Sequence, residues 1–461
     1  MPEIPLIAIS PWWLFVIAFP VLLLGESLLK RIPVLDRFNI PAPVVGGLVI
    51  CLGVLILELT NVATIKFLTD VRNPWWTWLV TPEPEWVKGP TKSVGAPLMI
   101  GFFTCVGLNG TWAAVKTGKG QILLFLFLST ILAVLQNVVG VVVAQWMGAN
   151  PLLGVICGAL TQTGGLGTSQ AFADTIIDAG YAPAKTMGVA AATLGMICGS
   201  LIGGPIAAGL IKRYKLVPEK TSPTEDARAD KAERAIIDIS ENEPGIFDGM
   251  RAFVRQGRKA LVHLLMLAAL IKIGAWIGYG FGHLGMIFPT YMGSMLAGLL
   301  LRNIFDMIGK PIFDSHVVDL MGGVLLAIFL AMTMTSLNIR EVSHGAGPMF
   351  AILGAQVVLM TIFSIWVSFR LMGRDYDSAV MASGLCGFGH GATTNAVANM
   401  KSITRKFGPA HRAFLVVPMV GAMFIDITNS FNIVWFINHY GNKHGVTHVS
   451  EQAPPPPKDL K

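Results

Sequence analysis

The sequence predicts an all-α polytopic membrane protein made of two inverted repeats. Each repeat would hold five spanning helices and one re-entrant helical hairpin. Three observations carry that expectation. Of the 461 residues, 53% are hydrophobic and only 13% are charged, about half the charged share of a soluble domain. Ten apolar runs are long enough to cross a bilayer. Two further apolar stretches, at matching places in the two halves, are broken in the middle by Gly and Thr.

The spans fall at roughly 10–29, 43–60, 94–112, 121–147 and 185–211 in the first half. In the second half they fall at roughly 260–283, 287–305, 319–338, 347–370 and 411–437. The first span lacks a basic leader and a small-residue cleavage site, so it reads as a retained helix. Residues 66–92 form a loop at a membrane face, where Trp75, Trp76, Trp78 and Trp86 suit the headgroup region. Between the halves, residues 212–259 form a charged, solvated linker, with room for a short helix around 226–239. The chain divides into a first repeat at 1–211, the linker, a second repeat at 260–440 and a polar tail at 441–461.

A net charge of +7 could point to nucleic acid, but the basic residues cluster beside apolar runs. That is the positive-inside pattern, and no nucleic-acid partner is expected. Placing both termini outside puts Lys30, Arg31 and Arg37, the linker's basic residues, and Arg370, Arg374 and Arg412 on the cytoplasmic side. If the broken stretches crossed fully, the topology downstream of each would flip and leave the basic linker outside. The five cysteines lie in apolar stretches without a C-x-x-C pair, which argues for small buried residues.

The halves echo one another. "IPAPVVGGL" at 40–48 matches "FPTYMGSML" at 288–296, and "VGLN" at 106–109 matches "TSLN" at 335–338. The offset between the copies shortens across the tryptophan-rich loop, so that loop is an insertion in the first half. Five spans per unit make the second copy inverted, an arrangement typical of secondary transporters and open to channels as well.

The broken stretches run over about 151–178 and 377–400, with "TGGLGTS" at 163–169 and "GFGHGATTN" at 387–395 in their middles. Ten helical residues rise about 15 Å, half a bilayer core. Each stretch therefore suits a re-entrant hairpin whose tip lies near the midplane. The amides that open a returning half-helix attract an anion such as a carboxylate. Carbonyls that end an incoming half-helix suit a cation. Close helix packing through small residues is the competing explanation. No residue set supplies a nucleophile, a base and an oxyanion donor together, so the chain is not expected to be an enzyme.

The chain resembles the bacterial sodium/glutamate symporter family. The resemblance rests on "IPAPVVGGL" (40–48), "TGGLGT" (163–168), "IGGP" (202–205), "CGFGHGATTNAVANM" (386–400) and "FGPAHRAFLVVPMVGAMFIDITN" (407–429). It implies a sodium-coupled importer of L-glutamate in the bacterial inner membrane, embedded in lipid as a homodimer. It also implies an elevator mechanism, with Na⁺ as the coupling ion. The substrate would lie between the hairpin tips, and the first two helices of each repeat would form the scaffold. A carrier of another small dicarboxylate and a channel with paired half-helices are the alternatives.

On that reading the substrate-binding candidates are Gly164, Gly165, Gly167, Thr168, Ser169, Gly389, Gly391, Thr393, Thr394, Asn395 and Asp426. The sodium candidates are Thr161, Thr163, Asp426 and Asn429, with no other metal expected. Asp426 stands out because a carboxylate inside a span is costly and usually faces a partner or a cavity. Asn109 and Asn338 are weaker candidates. Gln136 and Asn137 are expected to hold helices together. His390 offers a proton-coupling reading. Lys272 is expected to snorkel or pair with an acid, and Arg412 to anchor the inner face.

Overall fold

The computed structural model describes residues 5–38, 40–72, 75–89, 91–111, 120–218, 246–283, 289–309, 312–338 and 340–441. The proposed linker helix around 226–239 and nearly all of the polar tail lie outside the described residues.

The first half runs through α1 (Pro11–Arg31), α2 (Pro33–Arg37) and α3 (Ala42–Leu59) to α4 (Trp75–Trp78) and α5 (Glu83–Trp86). It continues with α6 (Ala96–Asn109), α7 (Gln121–Trp146), α8 (Pro151–Leu160), α9 (Gly165–Asp178) and α10 (Ala184–Tyr214). The second half starts with α11 (Ile246–Arg255), α12 (Arg258–His283), α13 (Thr290–Met307) and α14 (Ser315–Thr335). Next comes α15 (Arg340–Ile362), extended to Leu371 through a π-helical turn at Phe363–Ser368. Then follow α16 (Tyr376–Phe388), α17 (Thr393–Phe407) and α18 (His411–Met419), which runs through a π turn at Val420–Phe424 into α19 (Ile425–Tyr440).

Among the described residues, seven helices are long and apolar enough to cross a membrane. The chain is an all-α polytopic membrane protein. Every expected span has a helix within a few residues of its ends. Arg302 and Asp306 of α13 pair at 3.0 Å near its end. The tryptophan-rich loop is more ordered than the sequence suggests. It carries β2 (Thr64–Phe67), parallel to β1 (Leu6–Ile9), and an antiparallel pair of β3 (Asp70–Arg72) and β4 (Thr91–Ser93).

Packing is reciprocal between the halves. Helix α3 packs on α14, and α13 packs on α6. The pairs α1–α3 and α12–α13 correspond, and α7 meets α15. Helix α10 packs on α16 and α17, while α19 packs on α8. The third helix of each half thus joins the first two, so six helices (α1, α3, α6, α12, α13, α14) form one packed group. The amphipathic α11 lies against α14, and its first amide donates to the Glu26 carboxylate at 2.6 Å. That contact returns the charged linker to the six-helix group.

Lys272 of α12 pairs with an acid, as its sequence position suggests. Its ammonium donates to the Trp78 and Thr81 carbonyls, both at 2.8 Å, and lies 2.9 Å from Glu83 Oε1. It also sits 4.0 Å above the Trp78 ring. The hydrogen bond from Lys272 holds the Glu83 carboxyl below its ordinary range.

Candidate functional site

Each broken stretch folds as helix, turn, helix: α8 to α9, and α16 to α17. The first incoming arm is only five α-helical residues, and it then widens into a π turn over Ile156–Leu160. Gly158 breaks the helix with φ −89° and ψ −139°. Backbone groups freed inside an apolar layer cost several kcal/mol each unless they find partners. Two asparagines supply them. Asn137 Oδ1 accepts from the Ala159 amide at 2.9 Å, and Asn429 Nδ2 donates to the Ala159 carbonyl at 3.0 Å. Asn429, a sodium candidate, therefore uses its amide nitrogen on the hairpin backbone. Its Oδ1 accepts from Asn432 at 3.4 Å.

The first turn, Thr161 to Gly164, is buried except for a half-buried Gly164. Thr161 donates to the Ile156 carbonyl at 2.7 Å. Thr163 donates to Gln136 Oε1 at 2.6 Å. Gly165 opens α9 at φ +69°, and Gly391 in the second turn sits at φ +148°. Side chains rarely adopt either conformation. A Cβ on Gly165 would strike the Gly391 carbonyl oxygen, so the two tips touch backbone to backbone.

A buried polar network joins the tips. Gln136 Nε2 donates to the Gly389 carbonyl at 2.7 Å while Gln136 Oε1 holds Thr163. Gln356 Nε2 donates to the Gln136 carbonyl at 2.7 Å. His390 Nδ1 lies 2.6 Å from Gln162 Oε1, and Gln162 Nε2 donates to Thr161 Oγ1 at 3.1 Å. Because a carboxamide oxygen only accepts, Nδ1 carries the proton in this arrangement and Nε2 is left as an acceptor. Nε2 and Asn395 Oδ1 are both buried without a hydrogen-bond partner.

The structure brings together Thr161, Thr163, Gly164, Gly165, Gly389 and Gly391. Other candidates face elsewhere. Ser169 Oγ faces Gly188 of α10, and Gly167 faces Leu326 and Phe102 of the six-helix group. Thr168 is buried against the first tip, beside Gly164. Thr393 lies against Gly421, and Thr394 is half-buried beside it in the first turn of α17. Asn395 donates to the Met196 carbonyl of α10 at 3.1 Å. Asp426 makes no hydrogen bond or ion pair among the described residues. It lies within electrostatic reach of Tyr291, whose hydroxyl is 3.5 Å from Ser430 on the next turn of α19. Asn109 is engaged too, donating to Asp319 at 2.6 Å.

Gln136 and Asn137 bridge helices as expected. Gln162 and Gln356 are the residues that sequence reasoning passes over. For Gln356 the signal was available: a glutamine amid apolar residues must spend its amide on something. Arg412 differs from its reading as a simple anchor. It grips both oxygens of Asp375, at 2.5 and 2.6 Å, and so closes the base of the second hairpin.

The sodium/glutamate symporter family profile matches residues 7–81 and 89–409. The sodium/glutamate symporter of Haemophilus influenzae is 34% identical over 413 residues, 89% of this chain and 93% of the relative. That of Escherichia coli is 34% identical over 417 residues, 90% of this chain and 94% of the relative. A sodium proton antiporter from Methanocaldococcus jannaschii aligns over 93% of the chain with 14% identity and a TM-score of 0.38, a likeness that carries no argument. Matched over nearly its whole length by the family and its relatives, the chain belongs to the sodium/glutamate symporter family.

Proposed function

We propose that the chain imports L-glutamate with Na⁺ across the bacterial inner membrane as a secondary active transporter. The observation that carries this reading is the meeting of two helical hairpins tip to tip in an otherwise apolar interior. The reciprocal packing of the halves supports two inverted repeats, 1–211 and 260–440, with hairpins that dip in from opposite faces. The six-helix group would be the scaffold and the site of homodimer contact. The rest, with both hairpins, would move as an elevator. The packing of α6 and α14 against α1, α3, α12 and α13 supports counting both in that scaffold.

In this scheme the amides in the first turns of α9 and α17, beyond the Gly165 amide that donates to the Thr161 carbonyl, receive the substrate's carboxylates. The unpartnered acceptors His390 Nε2 and Asn395 Oδ1 favour a cationic group nearby, the substrate's ammonium or Na⁺. Asp426 offers a second negative centre on the scaffold-facing side. Thr161 and Thr163 contribute hydroxyl oxygens close to the first tip. The basic linker lies on the cytoplasmic side and both termini lie outside, in keeping with the positive-inside distribution.

The test is uptake of labelled glutamate into proteoliposomes with and without an inward Na⁺ gradient. Uptake that ignores collapse of the gradient overturns sodium coupling. Stronger competition by citrate than by aspartate overturns the amino-acid assignment. Asp426→Asn is expected to cut uptake by at least about tenfold, a change of roughly 1.4 kcal/mol; unchanged kinetics would remove Asp426 from the site.

A further inference from the structure

The tryptophan-rich insertion has no counterpart in the second half, and the hairpins do not use it. Together with the end of α12 it encloses a cavity of about 410 Å³. That volume lies within the ~300–1,000 Å³ range of small-molecule sites. Glu85 and Lys92 line one wall, from the insertion; Tyr279, His283 and Thr290 line the other. Gly278 and Gly282 leave the α12 wall without side chains that would fill the space.

The walls are held in place. Lys272 pins the insertion to α12 through two carbonyls and Glu83. Trp76 Nε1 donates to the Val94 carbonyl at 2.7 Å, tying the far end of the insertion down. The cavity therefore does not depend on a ligand for its shape.

Its chemistry is of both signs. Lys92 and the Thr290 hydroxyl can donate to an anion. His283 Nδ1 lies 2.9 Å from the Tyr279 carbonyl. Nδ1 therefore carries the proton, and Nε2 is free to accept, like the Glu85 carboxylate. A group with a phosphate next to a primary ammonium satisfies both sets. The surroundings specify where such a group comes from. Trp75 and Trp78 of the insertion and Trp276 of α12 are exposed on the elements that build the cavity, as at a headgroup layer. Below it, α12 exposes Leu261, Leu264, Leu265 and Ile273, a face suited to acyl chains.

We propose that this cavity binds the zwitterionic headgroup of phosphatidylethanolamine, with Lys92 and Thr290 on the phosphate and Glu85 and His283 on the ammonium. The proposal needs the chain to lie in a membrane and is independent of what it transports.

The test measures thermal unfolding of the purified full chain in detergent, with phosphatidylethanolamine or phosphatidylglycerol added at equal mole fraction. Phosphatidylethanolamine is expected to raise Tm more than phosphatidylglycerol does. The double variant Glu85→Gln, Lys92→Gln is expected to keep the parent's lipid-free Tm, since both side chains lie outside the core, and to lose the difference between the lipids. Equal shifts from the two lipids, or a difference that survives in the double variant, overturn the proposal. A shift from free glutamate that the double variant loses also overturns it, by placing an amino acid in the cavity.

Discussion

In the first hairpin the backbone breaks at Gly158, and side chains repair the break: Asn137 takes the Ala159 amide and Asn429 supplies its carbonyl. In the second hairpin the incoming helix α16 runs unbroken to Phe388, and close approach of the neighbouring helix α10 adds to the amide that Gln136 donates to the Gly389 carbonyl. Gly195, Gly199 and Gly203 recur every fourth residue on α10 and press against hairpin residues. A Cβ on Gly199 would meet the Cys386 carbonyl and the His390 side chain. Asn395 and Asn399 then reach across to the Met196 and Gly199 carbonyls, at 3.1 and 2.9 Å. The lesson is that one architectural unit can lean more on donated amides, where its helix is broken, or more on close approach, where it is not. Loss of one amide leaves a buried group unpaired, whereas added bulk pushes the helices apart.

That difference can be broken most severely at Gly199. Gly199→Leu is expected to destabilise the protein by about 3 kcal/mol, the upper end of overpacking costs. Gly204→Leu on the same helix, where nothing lies within 4 Å of the added Cβ, is expected to leave Tm close to the parent's. Thermal unfolding of the two variants in detergent separates them, and equal losses would refute the close-approach account.

A smaller effect is expected at Asn429. Asn429→Ala leaves the Ala159 carbonyl short of a donor, at a cost of about 1–2 kcal/mol. Hydrogen exchange should quicken at residues 156–165 and stay unchanged at 386–395. Equal loosening of both hairpins would mean that they are not secured separately.

The smallest effect concerns the base of the second hairpin. Asp375 lies in the connection before α16, outside the spans, where it accepts the Ser378 amide at 2.8 Å and the Arg412 guanidinium. Burial opposes its ionisation, but Arg412 and the Ser378 amide outweigh burial and hold the carboxyl below its ordinary value. A carboxyl lowered in the folded state binds protons more weakly than in the unfolded chain. Its stabilisation is therefore full above the ordinary carboxylate range and is lost as pH falls through the lowered value. The side chains are 27% and 44% exposed, so solvent screening limits Asp375→Asn to a loss of about 0.5–1 kcal/mol at pH 7. The Tm gap between variant and parent should close as pH drops below about 4. A gap independent of pH would mean that the ion pair contributes nothing.

Much of this molecule was legible in particular residues. The apolar runs located the helices, because a bilayer demands length and hydropathy that composition alone reveals. "TGGLGTS" and "GFGHGATTN" located both turns, since clustered glycines beside hydroxyl residues favour a turn over continued helix. The turn of Thr161 to Gly164 and that of Gly389 to Ala392 lie where those motifs end their incoming helices. Asn429 was legible as a polar residue in a span, but not as the partner of a carbonyl 270 residues earlier.

What the sequence by itself determined was the class of protein, the position of the long apolar helices and the two interruptions, but not the short helices at Trp75–Trp78, Glu83–Trp86 and Ile246–Arg255. What it determined follows from local length, periodicity and glycine placement. Only the tertiary structure decided which polar side chains meet. It joined Gln162 to His390 and Gln136 to both tips, and it set the Asn429 amide on the hairpin backbone. The physical reason is that a buried polar atom must satisfy whatever unpaired group lies beside it, and its neighbour is set by how distant helices pack, which no local pattern records.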